Sequence, residues 1–225
     1  MFAQRLTLAV ALTAMTALSA HGHGDVAPQP VNTDALPDVG EEWLTENPYR
    51  AAAAGEEVWL AAIEIGSSGY NQNCARCHGL GAVSGGLAPD LRYLEAEEYG
   101  DEWFAERFRV GYTQNGITKM PAFEEVLGQK ASWAIRTYIE TRPDQDMLDE
   151  YADELQATRD ALADGSADVP ATKARLEEIA GKIETLSGAP VADSIAFRAA
   201  KQLDGSDGSM KHAAETLTVG LSVAH

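Results

Sequence analysis

The sequence predicts an all-α protein, with a small helical domain over residues 55–142 and a helical extension over residues 143–225. Three observations predict it. From Glu57 to Asn73 the apolar residues Val58, Leu60, Ala61, Ile63 and Ile65 are spaced to bury one helical face. Two further segments, Glu95 to Val110 with Trp103, Phe104 and Phe108, and Ala131 to Glu140 with Trp133, Ile135, Tyr138 and Ile139, read as aromatic-bearing helices. Beyond Pro143, Leu148, Tyr151, Leu155 and Leu162 share one face of a charged helix, and Leu176, Ile179, Ile183 and Leu186 repeat the pattern.

The chain opens with Arg5, an uncharged apolar run from Leu6 to Leu18, and small residues at Ser19, Ala20 and Gly22. That is the pattern of a secretory signal peptide over residues 1–22. The apolar run is shorter than the ~20 residues a helix needs to span a bilayer. The mature protein is therefore expected in the periplasm, an uncleaved anchor being the alternative. No later stretch is apolar enough to cross a membrane. The formal net charge is −18, and loss of residues 1–20, which hold Arg5 and no carboxylate, makes it −19. Nucleic acid is excluded as a partner on charge. A cationic patch on a partner, solubility or adaptation to salt accounts for the acidity. Residues 23–54 read as an extended N-terminal segment. Cleavage after Ala20 would leave His21-Gly22-His23 at the terminus, a chelator for Cu²⁺ or Ni²⁺ or, more simply, a solvated tail.

The chain's two cysteines lie in Cys74-Ala75-Arg76-Cys77-His78. This is the C-x-x-C-H signature of covalent haem attachment. Each thiol adds across one haem vinyl group, and one helical turn between the sulfurs matches the separation of the vinyls. His78 then reaches the iron as proximal ligand. Other uses of the pair fit less well. A thioredoxin-like couple needs a βαβ surround, zinc needs two more ligands, and a disulfide across two residues is strained. Haem c, one per chain, is the expected cofactor.

An electron-transfer haem takes a sixth ligand. Beyond the expected signal peptide the methionines are Met120, Met147 and Met210. Met120 is the best candidate. Pro121 keeps it out of helix, in an extended loop, and the 42 residues after His78 are enough chain to pass round a haem edge. A core-filling role is the bland alternative, and His212 would need the tail to fold back. Thioether ligation raises the reduction potential. Gly66 and Tyr70 lie eight and four residues before Cys74, on one helical face. A glycine there lets another helix cross closely, although Gly66-Ser67-Ser68-Gly69 is also a poor helix-forming run.

These features resemble a class I cytochrome c domain with a C-terminal helical extension. The phrases His21-Gly22-His23-Gly24-Asp25-Val26, Gly40-Glu41-Glu42-Trp43, Glu46-Asn47-Pro48-Tyr49-Arg50, Tyr70 to Gly79, Ser84-Gly85-Gly86, Ala88-Pro89-Asp90-Leu91 and Trp133-Ala134-Ile135-Arg136 are similar to the PedF family. Its members are small periplasmic cytochromes c that accept electrons from quinoprotein (PQQ-dependent) alcohol dehydrogenases. The similarity covers residues 21–142. It implies an electron-transfer protein rather than an enzyme, with such a dehydrogenase as donor and an oxidase or another cytochrome as acceptor. It also implies that Pro89 offers its carbonyl to His78, since a ligating histidine generally donates its other N–H to a fixed acceptor; an ordinary loop proline is the alternative. Tyr138 is expected to cross the Gly66/Tyr70 face, and Trp43, Tyr49 and Trp59 are candidates to pack beside the haem. Relatives of this kind can carry a cysteine-bearing insert after Pro-Asp-Leu; Arg92 to Trp103 here has none.

The extension reads as an αα-hairpin followed by two short helices, Val191–Leu203 and Met210–Val219. A bundle packing on itself or on the cytochrome is its simplest reading. A module that holds the protein permanently in a redox complex is the alternative. A haem enzyme or sensor with an open iron site would require that Met120 not bind.

Overall fold

The computed structural model describes residues 27–206 and 208–223. The expected signal peptide and His21-Gly22-His23 lie outside the described residues.

Two helices make the frame. Helix α2 (Glu56–Asn73) follows the single turn α1 (Ala51–Ala54), and Glu56 and Glu57 favour its first turn. Helix α5 (Glu124–Glu140), kinked at Gly128, crosses it. The crossing is backbone to backbone. A Cβ on Gly66 would stand 1.9 Å from the Ala134 carbonyl oxygen. One turn along, Tyr70 packs on Tyr138, ring centroids 5.3 Å apart. The expected Gly66/Tyr70/Tyr138 face is therefore present, with Ala134 rather than Tyr138 opposite the glycine.

Between the two run the turn α3 (Ala75–His78), a loop with single 3₁₀ turns at Leu80–Ala82 and Leu91–Tyr93, and helix α4 (Glu98–Val110). Helix α4 starts three residues later than expected, because Asp90 caps the Leu91–Tyr93 turn by accepting from Arg92 N–H. Strands β1 (Tyr112–Gln114) and β2 (Ile117–Met120) then form an antiparallel hairpin. The sequence reading has an extended loop here. Asn115 and Gly116 both take positive φ, 52° and 75°, as a tight hairpin turn demands. That Asn-Gly pair, flanked by Thr113 and Thr118, is the signal for the hairpin.

The N-terminal segment straps the frame. Leu36 and Tyr49 pack with Ala62, Trp133 and Ala134 in one buried cluster. Asn47 and Arg50 join a buried ionic group. Asp101 lies 2.8 Å from both Arg50 and Arg136, and Glu140 lies 2.8 Å from Arg50. Two guanidiniums meet two carboxylates, so the group is neutral overall. Arg136 also donates to the carbonyls of Leu94 and Glu95, and Asn47 donates to Thr137 and Glu140. From Ala131 to Arg142 every residue is buried.

The extension builds a second core. The expected long helix breaks at Tyr151 into α6 (Gln145–Glu150) and α7 (Ala152–Asp164), followed by α8 (Val169–Lys182), α9 (Ile195–Gln202) and α10 (Ser209–Val223). Asp168 caps α8 with Pro170 in its first turn, and Ser194 caps α9. The α7/α8 pair is not a simple hairpin. Helix α7 packs on α10, α10 also on α9, and α9 on α8. The apolar stripes of α7 and α8 are thus shared among four helices, while Arg175 and Glu154, 2.6 Å apart, link the two across the turn. The extension also ties to the frame. Ser187 Oγ donates to the Glu140 carbonyl, its own carbonyl accepts from Ala96 N–H at 2.8 Å, and Ala192 packs against the core that holds Tyr138. Among the described residues, no helix is long and apolar enough to cross a membrane.

Candidate functional site

The end of α2 delivers the two cysteines. Its last turn ends at Asn73, and α3 places Cys74 and Cys77 one turn apart, His78 N–H donating to the Cys74 carbonyl at 3.0 Å. Both thiols are free. Burial, with Cys77 beside it, pushes the Cys74 thiol up to about 12. A Cys-x-x-Cys redox couple works through a depressed thiol, so this environment opposes that use. Among the described residues, no group of three or more His, Cys, Asp or Glu side chains is placed to hold a metal ion.

His78 is fixed by the loop that follows it. Its Nδ1 lies 2.8 Å from the Pro89 carbonyl oxygen. Burial lowers its pKa, with Pro89 and Asp90 acting in the opposite sense, so the imidazole is neutral at neutral pH. Nδ1 is engaged and Nε2 is the nitrogen left for a metal. The loop is itself held in shape. Ser84 Oγ donates to Ala88 C=O, Ser84 N–H donates to Asp90, and the Arg92 guanidinium donates twice to the Asp90 carboxylate, at 3.0 and 2.8 Å. Burial would raise Asp90, but Arg92 and the two amides outweigh it and hold the carboxyl below its usual range. Tyr70 O–H donates to the Gly79 carbonyl at 2.8 Å, tying the residue after His78 to α2.

Met120 ends β2 and is half-buried against the apolar cluster that also takes in Cys74 and Ala75. That cluster contains Leu91, Phe104, Phe108, Phe123, Ile135 and Tyr138. Trp43 and Trp59 pack against it as well, Trp43 with its ring centroid 6.3 Å from Phe108. Tyr49 does not join them. It is buried in the strap cluster and donates its hydroxyl to the Pro37 carbonyl.

The donor set fits covalent haem: two free thiols one turn apart, a neutral imidazole with Nδ1 anchored, and a thioether facing the same apolar core. Of the expected residues, His78 meets Pro89, and Cys74 and Met120 pack against one apolar cluster. The ionic group of Arg50, Asp101, Arg136 and Glu140 was not foreseen. Its only sequence trace is that Arg50 and Arg136 fall within phrases already singled out, Asn47-Pro48-Tyr49-Arg50 and Trp133-Ala134-Ile135-Arg136.

Known proteins point the same way. Residues 61–139 match the family described as "Cytochrome C oxidase, cbb3-type, subunit III". Cytochrome c550 of Pseudomonas aeruginosa is 52% identical over 119 residues, 53% of this chain and 80% of that protein. Two Pseudomonas putida proteins also match: quinohemoprotein alcohol dehydrogenase ADH IIB, 31% identical over 103 residues, and ADH-IIG, 35% identical over 79 residues. These matches cover 45% and 35% of this chain but only 13% and 10% of those longer proteins. No solved structure matches.

Proposed function

The chain belongs to the cytochrome c family and is an electron carrier with covalently bound haem c, and on that premise we propose how it holds the haem and whom it serves. Cys74 and Cys77 form the thioethers, His78 Nε2 is the proximal ligand, the Pro89 carbonyl fixes the His78 ring, and Met120 is the sixth ligand. Bound there, haem supplies a one-electron iron couple. The chain's own part is to keep His78 neutral and oriented and to keep the ligands in an apolar surround, where His78 and Met120 would hold the iron. With His78 and Met120 both binding, the iron would offer substrate no open position, which fits electron transfer.

The observation that carries this reading is the His78 Nδ1–Pro89 O contact of 2.8 Å, which leaves one ring nitrogen available. The measurement is the visible spectrum of the oxidised protein. A thioether–iron charge-transfer band is expected in the wild type and should vanish in Met120→Ala, which should also bind carbon monoxide when reduced. A band that persists in Met120→Ala overturns the assignment.

The electron donor in this reading is a quinoprotein (PQQ-dependent) alcohol dehydrogenase, the acceptor an oxidase or another cytochrome, and the place the periplasm after signal cleavage. The printed names of the two alcohol dehydrogenases that match this chain support the donor, as does the similarity to the PedF family. Stopped-flow reduction by a purified quinoprotein alcohol dehydrogenase tests it, and no haem reduction at low salt would exclude that donor. The ties of Ser187 and Ala192 to α5 favour an extension that packs on the cytochrome itself over one kept free to bind another subunit.

A further inference from the structure

The hairpin that presents Met120 has little of its own to hold it. Every residue of β1 and β2 except Met120 is exposed, and an isolated two-stranded hairpin is marginal in water. What holds it is the last turn of α4. Gly111, φ 69°, ends that helix so close to β2 that a Cβ would stand 2.4 Å from the Met120 carbonyl oxygen. Phe123 N–H, three residues past Met120, donates to the Phe108 carbonyl at 2.9 Å. In the hairpin register Tyr112 lies opposite Met120, and a bulge follows Tyr112.

Tyr112 is in turn held by a cation–π contact. The Arg107 guanidinium lies 5.5 Å from the Tyr112 ring centroid and 5.6 Å from that of Trp103. Trp103 and Arg107 are one helical turn apart, on one face of α4. The carboxylate paired with Arg107 is its neighbour Glu106, at 3.9 Å, too far to hold the guanidinium in place of the rings. The guanidinium carries a permanent, delocalised charge that both rings can share.

We propose that Arg107, in cation–π contact with both Trp103 and Tyr112, is a positioning residue that fixes the hairpin on α4 and so sets how readily the Met120 thioether leaves the iron. This rests on the reading of Met120 as sixth ligand. Loss of the cation frees the Tyr112 end of the hairpin. Tyr112 on β1 pairs with Met120 on β2, so freeing it removes the support of the end of β2 that carries the ligand.

Imidazole binds the oxidised holoprotein only where the thioether has been displaced, which makes it the probe. Arg107→Ala and Tyr112→Leu should each bind imidazole about tenfold more tightly than wild type, equivalent to ~1.4 kcal/mol. Each should also lower the reduction potential. Tyr112→Phe keeps the ring and should match wild type, and Arg107→Lys, which keeps the charge but not the plane, should fall between. Unchanged imidazole affinity in either Arg107→Ala or Tyr112→Leu, with the thioether–iron band present in wild type, overturns the positioning role and leaves the ligand assignment standing. Absence of that band from wild type removes the ligand assignment and this proposal with it.

Discussion

The two axial candidates sit in opposite kinds of structure. His78 is one turn from α2, its ring nitrogen held by Pro89, and its loop is cross-tied by Ser84, Asp90, Arg92 and Tyr70. Behind that loop the carbonyls of Leu94 and Glu95 are held by Arg136, itself fully buried in the ionic group on α5. Met120 sits on an exposed hairpin fastened at one end. The difference teaches a division of labour. The covalent and proximal side is built into the packing of the whole frame, so it fails only when the fold fails. On the proposed ligand set the thioether side is held locally, so it would exchange while the fold stands.

The sharpest way to break this comparison is to damage the frame and watch the hairpin. Arg136→Met removes one of two cations from the buried group and leaves Asp101 and Glu140 with Arg50 alone. Breaking a buried ion pair by deleting one partner costs about 3–5 kcal/mol, which for a chain of this size lowers the melting temperature by about 10 °C. Thermal unfolding followed by far-ultraviolet circular dichroism measures it. Below the transition, imidazole affinity should equal that of wild type. A loss of thioether ligation without a loss of stability would erase the division.

Gly66→Ala strikes the α2/α5 crossing. Its new methyl would meet a carbonyl oxygen of the backbone, at 1.9 Å before relaxation, and a backbone atom cannot swing aside as a side chain does. Overpacking of this kind costs about 1–3 kcal/mol, a melting temperature lower by about 5 °C. Tyr70 and Tyr138 lie on the same crossing, so their ring contact should loosen and the near-ultraviolet dichroism weaken. An unchanged melting temperature would mean that the helices can part without cost.

The rigid half was the legible half. Cys74, Cys77 and His78 announce themselves by spacing, Gly66 and Tyr70 by helical periodicity, and Pro89 by its place in a phrase shared with relatives. What sequence periodicity could not show is which charges are buried. Arg50, Asp101, Arg136 and Glu140 are scattered over 91 positions, and a charged residue on a helix reads as a solvent-facing one. Only the fold brings them together and neutralises them. The hairpin was missed for a different reason. Its strands are exposed on both faces, so they show no apolar alternation, and the Asn115-Gly116 turn was its one local signal. The sharing of α7 and α8 with α9 and α10 was hidden because an apolar stripe says that a helix is covered but not by what.

The smallest effect expected separates the two halves by pH. Asp90 has a carboxyl held below its ordinary value of 3.8 in the folded chain. A carboxyl with a lower pKa folded than unfolded stabilises the fold at pH above the unfolded value, and that contribution drains away as the pH falls through the folded one. Below about pH 4 the Asp90–Arg92 clasp should therefore weaken, and with it the loop that offers Pro89 to His78. Asp90→Asn keeps a side-chain acceptor for the Ser84 and Arg92 amides but lacks the charge. It should melt lower than wild type at pH 7, and the two curves of melting temperature against pH should draw together as the pH falls below about 4. Imidazole affinity at pH 7 should not differ between the two proteins, because the hairpin takes no part in the clasp. Curves that stay parallel as the pH falls would show that ionised Asp90 does not hold the loop, and the security of the His78 side would then have to come from the α2/α5 frame alone.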